Sequence, residues 1–172
     1  LFKCCPPIRE ESNREHLWQA VKDGRIDFIV SDHSPCTPEL KHIDTGDIEK
    51  AWGGISALQF GLPLIWTQAK ERGLSLVDLA RLMSSETAKF AGLNTIKGQI
   101  SVGFHADFLV FDANKSYTIT NDMIKHRHNI TPYEGRRVTG QILHTYVRGH
   151  HVYQQDEFLD SPVGRPLLKG QF

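Results

Sequence analysis

Asp32 and His33 are the residues of this chain whose positions point most directly to chemistry. They follow the apolar run 26–30, and Pro35 prevents a strand from continuing much further. Because the carboxyl ends of parallel strands carry the active sites of α/β proteins, Asp32 is predicted to bind a metal ion or to take a proton from a metal-bound water. An Asp after a strand is also a common turn or helix-capping residue, and these few residues alone leave both roles open.

Two pairs of histidines also invite a metal-binding interpretation. His126 and His128 would share one face if they lay on a strand, which is half of a zinc site. Their surroundings are polar and loop-like, so no catalytic role is assigned to them. His150 and His151 are adjacent and would point to opposite faces of a strand, so joint ligation of a metal is not expected.

The elements that would position Asp32 are a helix and a strand. The run 26–31 is rich in β-branched and aromatic residues and predicts a buried strand. A helix capped by Ser12 or Asn13 is predicted to precede it and to stop at Gly24. Its predicted buried residues are Leu17, Ala20 and Val21. Loop, helix and strand together form one unit of a parallel α/β sheet.

Helical patterns dominate the chain after this strand. The polar stretch 37–50 predicts a surface loop that could cover the site, and Gly53-Gly54 could bring backbone close to a ligand or simply form a turn. Apolar residues at helical spacing predict a helix over 58–69, which Pro63 would kink or split. Two shorter helices are predicted next, one with a capping box at Ser75 and one after Ser84 or Ser85.

The composition changes near Gly92, where short strands and turns replace the helical patterns. The segments 97–112 and 140–153 each predict extended structure. The chain is therefore predicted to contain two regions, 1–92 of α/β type and 93–172 contributing to a small β domain and a tail.

The overall composition limits the possible functions. Lys and Arg together number 20, as do Asp and Glu, so nothing in the charge favours binding to nucleic acid or to an anionic membrane. No apolar run is long enough to cross a bilayer.

Three Cys, two of them adjacent, make a disulfide framework unexpected and favour a reducing intracellular compartment, the cytoplasm first, with an organelle left open. The chain begins without Met and looks like the interior of a longer protein.

Segments in several parts of the chain resemble, in the right order, parts of the cyclic amidohydrolases. The segments are 3–9 (KCCPPIR), 31–36 (SDHSPC), 97–112 and 131–135 (TPYEG). They are similar to the loop after the seventh barrel strand, the end of the eighth strand and the C-terminal region of those enzymes. The resemblance implies an α/β fold, the C-terminal portion of a (β/α)8 TIM barrel plus strands of a small β-sandwich.

Within this family the likeness is greatest to the allantoinases. The segments that carry it are 31–36, 51–55 and 132–136. Dihydroorotases have a His where this chain has Cys36, and that His holds a substrate carboxylate. In relatives the backbone before the Pro-Pro pair contacts the cyclic amide, which implies a substrate contact at Cys5. Gly54 is the candidate for a second backbone contact.

The resemblance further implies a centre of two divalent metal ions, zinc or a neighbouring transition metal, with a carboxylated Lys among ligands outside this chain. Asp32 would be both metal ligand and catalytic residue, moving a proton from the attacking water to the leaving nitrogen as allantoin opens to allantoate. The 172-residue chain by itself is expected to show no hydrolase activity. The whole enzyme is expected to be a homotetramer, with Trp66 as an exposed apolar candidate for contact. A hydantoinase- or dihydropyrimidinase-type enzyme and a non-catalytic dihydropyrimidinase-like scaffold protein stay open as alternatives.

Overall fold

The computed structural model describes residues 1–159 and 161–168. The end of the predicted tail, 169–172, lies outside the described residues. The helices are α1 (Glu11–Lys22), α2 (Gly61–Glu71), α3 (Leu76–Ala80) and α4 (Glu86–Phe90). The strands are β1 (Phe108–Thr118), β2 (Arg137–Val147), β3 (His150–Gln154) and β4 (Glu157–Phe158). Short 3₁₀ turns occur at Pro38–Lys41, Leu58–Phe60 and Asn121–Met123.

The segment 26–31 is extended but forms no strand ladder, so the predicted β-strand is corrected in this respect. A strand needs hydrogen-bonded neighbours along its length. Here the Ile29 N–H donates to the helical residue Leu82, and the isolated parallel bridge between His33 and Ile55 lies just beyond the segment. The prediction of burial was also wrong for Val30, which is 63% exposed. The parallel direction of the bridge agrees with an α/β arrangement at this point.

Helix α1 buries the predicted Val21 and half-buries Ala20, but the prediction was wrong for Leu17. Leu17 is 51% exposed, whereas Val21 is buried and Trp18 packs against the cluster around Trp66. Leu17 precedes Val21 by four residues and lies on the same side of the helix, but further around from Trp18, at the edge of the buried face. The helix begins one residue before the predicted caps, at Glu11, and no side chain caps it.

Helix α2 is continuous through Pro63, so the proline does not split it, although a separate 3₁₀ turn, Leu58–Phe60, forms the start of the predicted helix. Pro63 lies in the first turn, where a missing backbone N–H breaks no helical hydrogen bond. Trp66 is also not exposed as expected, because only 7% of it is accessible and its Nε1–H donates to the Ala113 carbonyl at 2.9 Å. It therefore serves the interior of this chain and not a subunit contact.

The helices after α2 form one continuous helical segment. The predicted capping box is confirmed, since the Asp78 backbone N–H donates to Ser75 Oγ at 3.2 Å and the Ser75 backbone N–H donates to Asp78 Oδ2 at 2.8 Å. A π-helical turn, Arg81–Ser85, joins α3 to α4, so no break separates the two predicted helices. The fully buried Leu82 within this turn anchors the segment.

The four strands form one antiparallel sheet in the order β1-β2-β3-β4. The register pairs Phe108 with Tyr146 and Thr118 with Arg137, with irregularities inside β1. Gly140 lies where the sheet meets α2, and a Cβ there would come within 2.8 Å of Trp66 Cδ1. Its φ of 101° is also one that other residues rarely adopt, so both backbone and packing require Gly at this position.

Two clusters of buried side chains hold the helices against the sheet. The first contains Phe60, Ile119, Ile124 and Val138. The second contains Trp66, Ala69 and Leu79, with Phe111 and Ala113 of β1 packed against it. Each cluster combines residues from both predicted regions, so the sheet and helix α2 share a core.

Candidate active site

A cavity of about 220 Å³ surrounds the end of the extended segment 26–31. Its lining residues are Cys4, Cys5, Ser31, Asp32, Ser34, Gly53, Gly54, Ile55 and Tyr133. The fold therefore brings together Asp32, Cys5 and Gly54, the residues predicted for the site, from separate parts of the chain. A site for a small ligand needs such a concave surface with convergent polar groups.

Asp32 is exposed at this cavity and has a left-handed backbone, with φ of 43°. Such a φ is uncommon for residues other than Gly, although Asp tolerates it better than most. No hydrogen bond reaches its carboxylate from the residues that the structure describes. Ser34 Oγ donates instead to the Asp32 backbone carbonyl at 3.2 Å. The carboxylate is thus available to an incoming ligand or cation.

His33 ties the residues beside Asp32 to the segment that follows the glycine pair. Its Nδ1 accepts hydrogen bonds from the backbone N–H groups of Ala57 at 3.0 Å and Leu58 at 3.1 Å. An imidazole nitrogen that accepts cannot carry a proton, so the neutral ring carries its proton on Nε2. The Ser34 N–H donates to the Ile55 carbonyl at 3.0 Å, which adds a second link between the same segments.

His126 packs against His33, with ring centroids 5.2 Å apart. Both of its ring nitrogens are buried and have no hydrogen-bond partner among the described residues. Burial lowers the pKa of His126, and the nearby His33 lowers it further, so the neutral ring is favoured. Sequence spacing gave no indication that these two histidines meet, because 92 residues separate them.

The Gly53-Gly54 pair forms the wall of the cavity next to Ser34. A Cβ on Gly54 would lie 2.6 Å from Ser34 Cβ and 2.7 Å from the Ser34 carbonyl oxygen, so no larger residue fits. The Gly54 N–H donates to the Lys3 carbonyl at 2.9 Å, and its carbonyl accepts from Lys41 Nζ. A carbonyl has two lone pairs, so this oxygen can accept a second hydrogen bond.

Tyr133 completes the cavity from a loop that precedes β2. Its ring packs edge-on against Phe2, with centroids 5.9 Å apart, and burial raises the pKa of its phenol. The neighbouring Thr131 Oγ1 donates a buried hydrogen bond of 2.7 Å to the Ser56 carbonyl. In the sequence, segment 131–135 is notable only for its family likeness, and nothing there predicts that it reaches the site.

A larger cavity, about 440 Å³, lies between the segment around Phe60 and the sheet. Its lining is mostly apolar and contains none of the predicted site residues; His126 is its only histidine. Size alone would favour it as a ligand site. The chemistry of the smaller cavity, with one free carboxylate and several backbone groups, makes that one the better candidate.

Residues 4–152 match the amidohydrolase family. The chain belongs to the amidohydrolase family. Among curated members, the allantoinase of Streptomyces avermitilis is 47% identical over 98% of this chain, and that of Saccharomyces cerevisiae is 45% identical over 97%. The chain spans only 37% and 36% of the lengths of these two amidohydrolases.

Among solved amidohydrolase structures, the L-hydantoinase of Arthrobacter aurescens aligns with a TM-score of 0.86 and 33% identity. The alignment covers 92% of this chain and 35% of that enzyme. This likeness confirms the predicted fold class, an α/β chain that corresponds to part of a hydantoinase-type barrel enzyme with strands of its small β domain.

Proposed function

We propose that the protein containing this chain hydrolyses the ring amide of allantoin to give allantoate. The observation that carries the proposal is the free Asp32 carboxylate in a small cavity whose other walls are the backbone segments around Cys5 and Gly54. The identity to allantoinases over nearly the whole chain supports allantoin as the substrate.

The family likeness implies a pair of divalent metal ions, for which zinc is the first candidate. Asp32 fits the role of one ligand, because its carboxylate is exposed and unbonded within the described residues. No group of three or more His, Cys, Asp or Glu side chains in residues 1–159 and 161–168 is placed to hold a metal ion. The remaining ligands, including a carboxylated Lys, are therefore proposed to come from parts of the protein outside this chain.

Asp32 is proposed to act as the base and then as the acid of the reaction. A bound metal pair would polarise the ring carbonyl and lower the pKa of water. The Asp32 carboxylate accepts a proton from the water whose oxygen adds to the carbonyl carbon. When the carbon–nitrogen bond breaks, the same carboxyl group returns the proton to the ring nitrogen, which leaves as an amide nitrogen.

Cys5 and Gly54 are proposed to orient the cyclic amide through their backbone groups. A backbone contact at Cys5 does not depend on the thiol. Gly54 would contribute the second lone pair of its carbonyl oxygen, which can accept a hydrogen bond from a ring N–H. Two such contacts fix the plane of the ring relative to Asp32, which is how binding energy places a reacting carbonyl.

Replacing Asp32 in the full-length protein tests the proposal directly. Asp32→Asn is expected to lower kcat for allantoin by about 10²- to 10⁴-fold, since an amide cannot carry the proton. Asp27→Asn is the matched control, because Asp27 is exposed on the same extended segment and does not line the cavity. Bound metal and the melting temperature should be measured with each variant. Activity of Asp32→Asn within tenfold of the wild type would overturn the assignment.

A second candidate function is hydrolysis of hydantoins or dihydropyrimidines, which the structural likeness to the L-hydantoinase favours. Steady-state rates with allantoin, hydantoin and dihydrouracil on one preparation separate the two. A non-catalytic scaffold role would show as no turnover of any of the three by the metal-loaded full-length protein.

Several finer properties are also proposed. Residues 1–92 are assigned to the barrel and 93–172 to the small β domain with its tail, and the whole protein is taken to be a homotetramer.

An intracellular location, the cytoplasm first, is supported by Cys4, Cys5 and Cys36, which are all free thiols. No helix among the described residues is long and apolar enough to cross a membrane.

A further inference from the structure

Lys41 is a buried cation that the proposed reaction does not use. Only 7% of the residue is exposed, although lysines are seldom buried unless they are paired. Its hydrogen-bond partners in the part of the chain that the structure describes are all backbone carbonyl oxygens. Removing an ammonium group from water is costly, so a residue held in this way must be compensated by those contacts.

The carbonyl groups around Lys41 come from two extended segments. Its Nζ lies 3.3 Å from the Leu1 oxygen, 3.4 Å from the Lys3 oxygen and 3.0 Å from the Trp52 oxygen, and it also contacts the Gly54 oxygen. An ammonium has three donors, so these acceptors share them. Within each segment the two carbonyls are two residues apart, which places them on one edge of extended backbone.

Both segments continue directly into the wall of the small cavity. Cys4 and Cys5 follow Lys3, and Gly53 lies between the two carbonyls of the other segment. The segments are also joined to each other by the Gly54 N–H, which donates to the Lys3 carbonyl. The ammonium therefore sits behind the wall and sets the spacing between its two halves.

We propose that Lys41 is a positioning residue for the cyclic amide, because its ammonium group fixes the backbones of Cys5 and Gly54 relative to each other without touching the substrate. This rests on the proposed function for the identity of the ligand. The contact with the Gly54 carbonyl leaves that oxygen one free lone pair and fixes its direction. Loss of the ammonium would free the carbonyl and let the two segments separate.

The test compares Lys41→Met and Lys41→Gln in the full-length protein. Met fills a similar volume without a donor, and Gln keeps two N–H groups. Lys50→Met is the control, since the Lys50 side chain is 74% exposed and pairs with Asp47 on the surface. With Lys41→Met we expect KM for allantoin to rise at least tenfold and kcat to fall less than threefold at unchanged metal content. Lys41→Gln should be intermediate, and it decides by the same criteria if the Met variant does not fold.

Hydrogen exchange of the Gly54 amide supplies a readout that does not depend on activity. Because this N–H donates to Lys3, exchange should be at least tenfold faster in Lys41→Met than in the wild type and unchanged in Lys50→Met. Unchanged exchange would overturn the positioning role, and faster exchange with KM within twofold of wild type would overturn its link to the substrate. If the wild type hydrolyses no cyclic amide, the proposed function fails while the exchange measurement still tests Lys41.

Discussion

At the residue scale, two adjacent glycines at the cavity differ in the space that a side chain would find. A Cβ on Gly53 would meet only Cys5 Sγ at 3.6 Å, an ordinary contact. A Cβ on Gly54 would lie 2.6 Å from Ser34 Cβ and 2.8 Å from Trp52 Nε1. Comparing Gly54→Ala with Gly53→Ala therefore distinguishes the effect of crowding around an added methyl group from the general effect of losing a glycine.

Gly54→Ala is expected to destabilise the protein by about 1–3 kcal/mol, because the added methyl group forces backbone to move in a packed site. Hydrolysis of allantoin should also fall at least tenfold, since the displaced carbonyl belongs to the proposed substrate contact. Gly53→Ala should change stability by less than about 0.5 kcal/mol. Thermal unfolding and steady-state kinetics of both variants check this, and equal effects at the two positions would contradict it.

Resemblance to the cyclic amidohydrolases singled out Asp32, Cys5 and Gly54 from the sequence, and the structure places all three around one cavity. The sequence did not single out Lys41 or Tyr133. Lys41 occurs in a polar stretch typical of surface loops, and its burial depends on carbonyl groups contributed by two distant segments. A single side chain surrounded by backbone acceptors leaves no pattern in sequence.

At the element scale, an ion pair joins helix α1 to Arg72, the residue that follows α2. Arg72 donates to both carboxylate oxygens of Glu15, through Nε at 3.0 Å and through a terminal nitrogen at 2.6 Å. The guanidinium also lies over the Trp18 ring, 5.2 Å from its centroid. The Arg72 hydrogen bonds, with a further one from Arg14, lower the pKa of Glu15 to about 2.

Glu15 should make the stability of this helix contact depend on pH. A carboxyl group whose pKa is lowered by folding stabilises the folded state above its unfolded pKa, near 4.5, and loses that contribution as the pH falls towards about 2. In the full-length protein, Glu15→Gln is therefore expected to lower the denaturant midpoint of unfolding at pH 7. The difference in midpoint from the wild type should shrink steadily between pH 5 and pH 3.

Glu11→Gln provides the control for this titration, because Glu11 lies on the same helix and pairs only with the exposed Arg14. Its effect on the midpoint should be small at every pH. A difference between Glu15→Gln and wild type that stays constant from pH 7 to pH 3 would show that the ion pair does not set the pKa of Glu15.

Elements defined by local chemistry were predictable, and elements that need distant partners were less so. The capping box at Ser75 and the stop at Gly24, whose φ is 71°, follow from neighbouring residues alone. The segment 26–31 has the composition of a strand, yet a strand exists only where neighbouring strands pair with it. For the same reason the exposure of Leu17 could not be predicted, because it depends on which side of α1 packs against the rest of the chain.

At the scale of the whole molecule, this chain supplies one candidate metal ligand and no complete metal centre among its described residues. Purified by itself, it is expected to retain no pair of zinc ions after dialysis and to hydrolyse allantoin no faster than buffer. The full-length protein, loaded with zinc under the same conditions, is the control. Measured turnover by the isolated chain would contradict the proposed division of ligands.

Isolated expression should also expose apolar surface. Val30 and Ile100 are 63% and 87% exposed, and no strand pairs with the segment 26–31 among the described residues. Unpaired edges favour association between chains. We expect the isolated chain to aggregate and to lack a cooperative melt, which light scattering and circular dichroism would show; a sharp reversible transition of a monomer would contradict this.

The loop 131–135 limits how proteins of this kind can diverge by recombination. It leads into the sheet, yet its Tyr133 lines the cavity and its Thr131 is bonded to Ser56. A gene exchange that replaced only the sheet would carry one wall of the ligand cavity along with it. Tyr133 would then change together with the sheet, whereas Asp32, the proposed acid and base, would stay with the other part of the chain.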